Sequence, residues 1–183
     1  MITTYPSTNA ALIAIDAQDR LMRDIIGRDL IINNIKKLLK VSSLLRVNYY
    51  FTEQNPGKLG ETVDELRAFN KKETNKKQDF SLTGCHDLMI DIKSNNIKKI
   101  ILCGVETHIC IQQSALDLIN LGFNVFIVAD GVGSRSMVDH DYAIRRLERS
   151  GAIVTTTEAL IFEWCGTADR EEFKAISSIV KGI

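Results

Sequence analysis

A three-layer α/β/α fold, with a parallel sheet covered by helices on both faces, is predicted by two features of the sequence. Short β-rich runs alternate with longer segments of helical period. The strand candidates are continuous apolar runs, not in-and-out alternations. A strand buried on both faces has no solvent side on which to place polar residues, so alternation disappears. At 183 residues the chain reads as one domain, 1–183, long enough for a substantial core.

The first strand is read over Ala11 to Asp16. Asp29 to Val47 follows with Ile32, Ile35, Leu38, Leu39 and Leu45 at helical spacing, and Asn48 to Thr52 is a second strand closed by a turn at Asn55-Pro56-Gly57. Gln54 to Leu82, rich in Lys, Asn and Thr, is the least regular stretch. His86 to Ser94 is a short helix and Lys98 to Val105 a clear parallel-type strand. Thr107 to Asn120 returns to helical period before the stop at Gly122. Asn124 to Asp130 and Ala152 to Thr155 are strands. Val138 to Arg149, Thr157 to Trp164 and Glu171 to Lys181 are helices. In an open sheet of this kind the ligand crevice lies beyond the carboxyl ends of the strands, where Asp16, Glu53, Glu106 and Asp130 fall.

Composition narrows the function. Lys plus Arg and Asp plus Glu number 23 each, so there is no cationic excess for a phosphate backbone. The cluster Lys71-Lys72 with Lys76-Lys77 reads as a solvated loop for all but Lys77. Cys85, Cys103, Cys110 and Cys165 form no CxxC pair and no Cys/His ligand spacing, which argues against a zinc site or a disulfide framework. The apolar stretch Ala10 to Ile15 is too short for a signal or membrane span, and a reducing, cytoplasmic compartment is the expectation.

Three residues could carry chemistry. Cys110 follows the Ile100–Val105 run by one short turn, in the first turn of the next helix, where unpaired amides and the helix dipole favour a thiolate. Cysteine is also a common small core residue, and Cys103, inside a strand, is read that way. Asp16 ends a strand, where it either caps a turn or serves as a base. Lys77 is either one surface lysine among several or, beside a buried carboxylate and a thiol, a stabiliser of negative charge.

In this order and context, the three residues resemble the isochorismatase-like cysteine hydrolases. The resemblance runs from about Ala10 to Trp164 and includes Asp16 with Gln18, Lys77-Gln78-Asp79-Phe80-Ser81, and Gly104-Val105-Glu106-Thr107-His108-Ile109-Cys110. Asp130 with Ser134-Arg135-Ser136, Gly151 and the Thr156 to Leu160 region complete it. Thr52-Glu53-Gln54-Asn55-Pro56 with Leu59-Gly60-Glu61-Thr62 looks most like the small isochorismatase-domain proteins of undefined substrate. The resemblance implies a Rossmann-like architecture with Cys110 as nucleophile forming a thioester, Asp16 as base and Lys77 as third member of a triad. It also implies a non-proline cis peptide at Val105–Glu106 that aims the amides of Glu106 and Cys110 at an oxyanion. Gln18, Glu53, Gln54 and Thr107 are candidates for the substrate pocket.

Metal-dependent relatives carry an Asp-x-His and a further His, whereas this chain reads Thr52-Glu53-Gln54-Asn55 with no His before His86. His86, His108 and His140 lack partners at ligand spacing, so each is assigned a surface or capping role, and no metal or other cofactor is expected. With Cys110 present, hydrolysis of a small amide or related acyl compound is favoured over vinyl-ether cleavage. The competing class is a non-catalytic small-molecule-binding or assembly protein that kept the fold. A nucleic-acid or membrane partner is not expected. A homo-oligomer is, with Leu160-Ile161-Phe162 and Trp164 as an apolar stretch suited to its interface.

Overall fold

The structure, a computed structural model, describes residues 7–70 and 73–183, so Lys71 and Lys72 lie outside the described residues. Its sheet has six strands, all pairing in parallel: β1 (Ala10–Ile15), β2 (Asn48–Gln54), β3 (Asn75–Lys77), β4 (Lys99–Val105), β5 (Asn124–Gly133) and β6 (Ile153–Thr155), in the order β3-β2-β1-β4-β5-β6. The helices are α1 (Asp19–Met22), α2 (Arg28–Leu44), α3 (Pro56–Leu59), α4 (Asp64–Arg67), α5 (His86–Ser94), α6 (Gln112–Asn120), α7 (Met137–Arg149), α8 (Thr157–Cys165) and α9 (Phe173–Lys181).

The apolar runs make strands because both of their faces are covered. Every residue of β1 is buried. Leu12 and Ala14 join a cluster with Ile35, Leu38 and Leu39 of α2, Leu160 and Trp164 of α8, and Ile176 of α9. Ala11, Ile13 and Ile15 turn the other way, onto Leu88 and Ile92 of α5, Ala115 and Leu118 of α6, and Leu147 of α7. These are the two helical layers that the continuous hydrophobicity requires. Cys103 of β4 lies in the first cluster, a core residue as its position in the strand implies.

Four expectations are corrected. Residues 54–82 are not merely irregular: they hold α3, α4 and the edge strand β3. Asn-Lys-Lys has little intrinsic strand preference and no apolar signal, so only its pairing with Thr52, Glu53 and Gln54 makes it a strand. The turn at Asn55-Pro56-Gly57 continues into α3, for which Pro56 provides the preset φ of a first helical residue. The single helix read over Thr107 to Asn120 is a π-helical turn, Thr107–Ile111, leading into α6. Leu160, Ile161 and Trp164 are core residues of α8, and only Phe162 of this stretch reaches the surface, so most of its apolar area is packed on its own sheet.

One glycine sets the carboxyl end of β4. Gly104 has φ 110°, and a Cβ there would overlap the carbonyl of Ile15 on the neighbouring strand. Only glycine lets β4 approach β1 this closely at that end. At the same point the β4–β5 register slips, from Leu102 opposite Ile127 to Gly104 opposite Val132. The resulting irregularity carries β5 past Asp130 to Gly133.

Candidate active site

The strand order reverses direction between β1 and β4, which opens a crevice at their carboxyl ends. Asp16 is the first residue beyond β1. Its φ of 50° is left-handed, unusual for a residue with a Cβ, and turns the chain sharply out of the strand. The turn is held by the amide of Asp16 donating to the Thr52 carbonyl at 3.1 Å and the amide of Gln18 donating to the Asp16 carbonyl at 2.7 Å. The Thr52 hydroxyl donates to Oδ1 of Asp16 at 2.7 Å, which fixes the carboxylate as well as the backbone.

Lys77 is the last residue of β3, in register with Gln54 of β2. Its Nζ donates to Oδ2 of Asp16 at 2.6 Å, Oε1 of Gln54 at 2.8 Å, the Phe80 carbonyl at 3.0 Å and the Asp79 carbonyl at 3.3 Å. The side chains of Lys77 and Asp16 are 1% and 0% exposed. A buried ion pair survives its desolvation cost only when its remaining hydrogen-bonding capacity is met, as these oxygens and Thr52 do here.

Cys110 comes from the π-helical turn after β4, close enough to Asp16 and Lys77 for both charges to act on its thiol. The structure thus brings together Asp16, Lys77 and Cys110, which lie far apart in sequence. It corrects the expectation that the first-turn position and Lys77 lower the thiol pKa. Burial pushes the Cys110 thiol up to about 12, the negative charge of Asp16 adds to the rise, and Lys77 offsets it only in part. The ion pair is neutral as a whole, and a short turn in a desolvated setting cannot make up the difference. The thiol rests protonated, with Asp16 as the neighbouring acceptor for its proton. Cys85 is held at about 11, again by burial first, with Lys77, Asp16 and Asp79 among the charges that act on it.

The Val105–Glu106 peptide is cis. The Glu106 carboxylate accepts the Arg135 amide at 3.1 Å, with the exposed Arg135 guanidinium 3.6 Å away. Thr107 is fully buried, its Oγ1 2.9 Å from Nδ1 of His140, and Nδ1 of His108 is 3.0 Å from Oγ of Ser134. His86 is exposed, but His108 and His140 are half-buried partners of hydroxyls, because the loop after β5 folds back over the turn. Among the described residues, no group of three or more His, Cys, Asp or Glu side chains is placed to hold a metal ion.

The other candidates have protein partners. Gln18 is fully buried; its Oε1 accepts the Gln54 amide at 2.7 Å, and its Nε2 donates to the carbonyls of Gln54 at 3.0 Å and Gly60 at 2.6 Å. Oε1 of Glu53 accepts the amide and hydroxyl of Thr62 at 2.7 and 2.8 Å. Asp130 is an anchor for α8, accepting the Thr157 amide at 2.7 Å and hydroxyl at 2.9 Å, and stands outside the site. Sequence reasoning passed over Thr52 and the carbonyls of Asp79 and Phe80. Thr52 could have been found as a polar residue at the buried end of the Tyr-Tyr-Phe run, while backbone acceptors leave no trace in a sequence.

A family model described as the isochorismatase domain matches residues 10–159. Isochorismatase domain-containing protein 2 of Bos taurus is 38% identical over 173 residues, covering 94% of this chain and 83% of its own length. A Caenorhabditis elegans structure described as MAR1 ribonuclease superposes with a TM-score of 0.90 at 32% identity, over 98% of this chain and 93% of that one. The YcaC gene product of Escherichia coli, described as an octameric hydrolase of unknown specificity, gives 0.91 at 22% identity over 98% and 91% of the two chains, a likeness of fold alone. By domain match, relatives and fold, this chain belongs to the isochorismatase domain family.

Proposed function

We propose that this protein is a metal-independent cysteine hydrolase of a small carbonyl compound, best an amide, working through a thioester on Cys110. The observation that carries the reading is the buried Lys77–Asp16 pair at 2.6 Å with the Cys110 thiol beside both of its members. As the sulfur attacks the carbonyl carbon, the thiol proton passes to Asp16, and the carbonyl electron pair moves onto oxygen. Transfer removes the negative charge that opposed the thiolate and leaves Lys77 unopposed beside the sulfur. The amides of Glu106 and Cys110 receive the oxyanion. Collapse breaks the C–N bond, and the leaving amine takes its proton from Asp16. Water then attacks the thioester, giving its proton to Asp16, and the acid leaves as the thiol is restored.

Incubation with a panel of small amides, scored by mass spectrometry for an acyl adduct on Cys110, tests this directly. An adduct that forms and turns over in chelator supports it. Reversible binding without adduct or turnover across the panel would favour a binding protein. RNA belongs in the panel, given the name borne by the C. elegans relative. Cleavage by wild type but not by Cys110→Ala would overturn the small-molecule reading; the balanced charge of this chain argues against it.

The protein is also expected to act as a homo-oligomer in the cytoplasm. The E. coli neighbour is described as octameric. Exposed apolar side chains include Phe162 on α8 and, more exposed, Ile26, Leu30, Met137, Val138 and Tyr142. Among the described residues no helix is long and apolar enough to cross a membrane. Light scattering at micromolar concentration should show more than a monomer.

A further inference from the structure

Lys77 is carried by a strand of three residues at the edge of the sheet, a weak platform for a charge that must sit within a few tenths of an ångström of its target. Its remaining placement comes from Gln54, its registered neighbour on β2. Oε1 of Gln54 accepts from Nζ of Lys77 at 2.8 Å, while Nε2 donates to the Gln78 carbonyl at 2.6 Å, just past the end of β3. The amide therefore faces one way only: turned over, it would set an N–H against an ammonium and an oxygen against a carbonyl. Gln54 is itself gripped at its backbone amide and carbonyl by the Gln18 side chain, and the Gln18 amide bonds back to the Asp16 carbonyl. A closed circuit of bonds, Asp16 to Lys77 to Gln54 to Gln18 and back, spans β1, β2 and β3.

We propose that Gln54 is the positioning residue for the Lys77 ammonium, and that its neutrality is part of that role. This rests on the cysteine-hydrolase reading, because it assigns Lys77 the task of favouring a thiolate at Cys110. An uncharged oxygen orients the ammonium without neutralising it. A carboxylate in its place would give one cation two buried anions, leave the cluster net negative beside the nucleophile, and oppose the Gln78 carbonyl.

The test compares the intact chain with Gln54→Glu, Gln54→Met and Lys77→Met, following iodoacetamide alkylation of the Cys110 peptide at pH 9 by mass spectrometry, with thermal unfolding alongside. Added charge of this kind moves a neighbouring titration by about one unit or more, so Gln54→Glu should slow alkylation roughly tenfold or more. Gln54→Met, neutral and of similar volume, should slow it less. The closer isostere is thus the more damaging, an order that a role in packing alone would reverse. Unchanged alkylation in Gln54→Glu, or the reverse order, overturns the proposal. Should Gln54→Glu fail to fold, Gln54→Met decides alone: slower alkylation supports the assignment and an unchanged rate overturns it. If Lys77→Met does not slow alkylation, the triad itself falls and Gln54 with it. If Lys77→Met does and the Gln54 variants do not, only the role of Gln54 is lost.

Discussion

β4 and β3 each deliver one side chain to the same few ångströms, by opposite means. β4 lies inside the sheet between β1 and β5, with six of its seven residues buried, and hands Cys110 to the site through a turn anchored in the apolar core. β3 is a three-residue edge strand with only Lys77 buried, and it delivers its lysine through hydrogen bonds to Asp16, Gln54, Asp79 and Phe80. Packing fixes one proposed reactive group and polar bonding the other. Damage to β4 should therefore appear as lost stability, and damage to the bonds that tether β3, its buried lysine apart, chiefly as lost function.

The largest expected effect is at Gly104. Any side chain there collides with the Ile15 backbone, so Gly104→Val should cost more than about 4 kcal/mol and leave little folded protein, read by expression and circular dichroism. A folded Gly104→Val with normal unfolding would break the account of β4.

Removing Lys77 strands a buried carboxylate. Lys77→Met should lose about 3–5 kcal/mol in urea unfolding, and adding Asp16→Asn should restore much of it, since the penalty is the unpaired charge. Asp16→Asn alone should cut turnover by about 10²–10⁴-fold or more while leaving Cys110 alkylation intact or faster, because its charge holds the thiol up.

A matched pair sharpens the contrast. Leu102→Ala, in the core under β4, should cost about 2–5 kcal/mol yet leave the rate per folded molecule near normal. Asn75→Ala removes the bond from Nδ2 to the Phe51 carbonyl at 3.1 Å, worth about 0.5–1.5 kcal/mol, yet should slow Cys110 alkylation by loosening β3.

The most gradual effect is with pH. Burial holds Cys85 at about 11, Cys110 at about 12 and Cys103 higher still, all above the ordinary thiol value. The folded state keeps these protons after the unfolded chain has released them. Stability should be unaffected below about pH 8.5 and fall above it, by up to about 1.4 kcal/mol per pH unit per thiol, until the folded thiols themselves ionise. Urea midpoints between pH 8 and 10 measure the slope, and Cys103→Ala should remove one thiol's share.

The same contrast explains what was legible in the sequence. β1, β4 and β5 announce themselves because burial on both faces writes an unbroken apolar run such as Lys-Ile-Ile-Leu-Cys-Gly-Val. β3 does not, since Asn-Lys-Lys owes its strand to the partner beside it. Asp16, Lys77 and Cys110 could be named from their motifs, but their protonation could not: the spacing that places Cys110 in a first turn says nothing of how deeply it is buried. Gln18, Glu53 and Gln54 were picked out by position, and their bonds to Gly60, Thr62 and Lys77 needed the loops in place.

The sheet's other edge, β6, is also only three residues long. A sheet grows by adding strands to its margins, and a long, flat, apolar margin invites another molecule to do so. Here β3 offers an incoming chain almost no length to pair with, and its middle residue, Lys76, is an exposed cation. The irregular, polar segment that tethers the site lysine is thus also a guard against aggregation. Lengthening β3 or making it more apolar to steady Lys77 would trade a firmer site for a stickier protein.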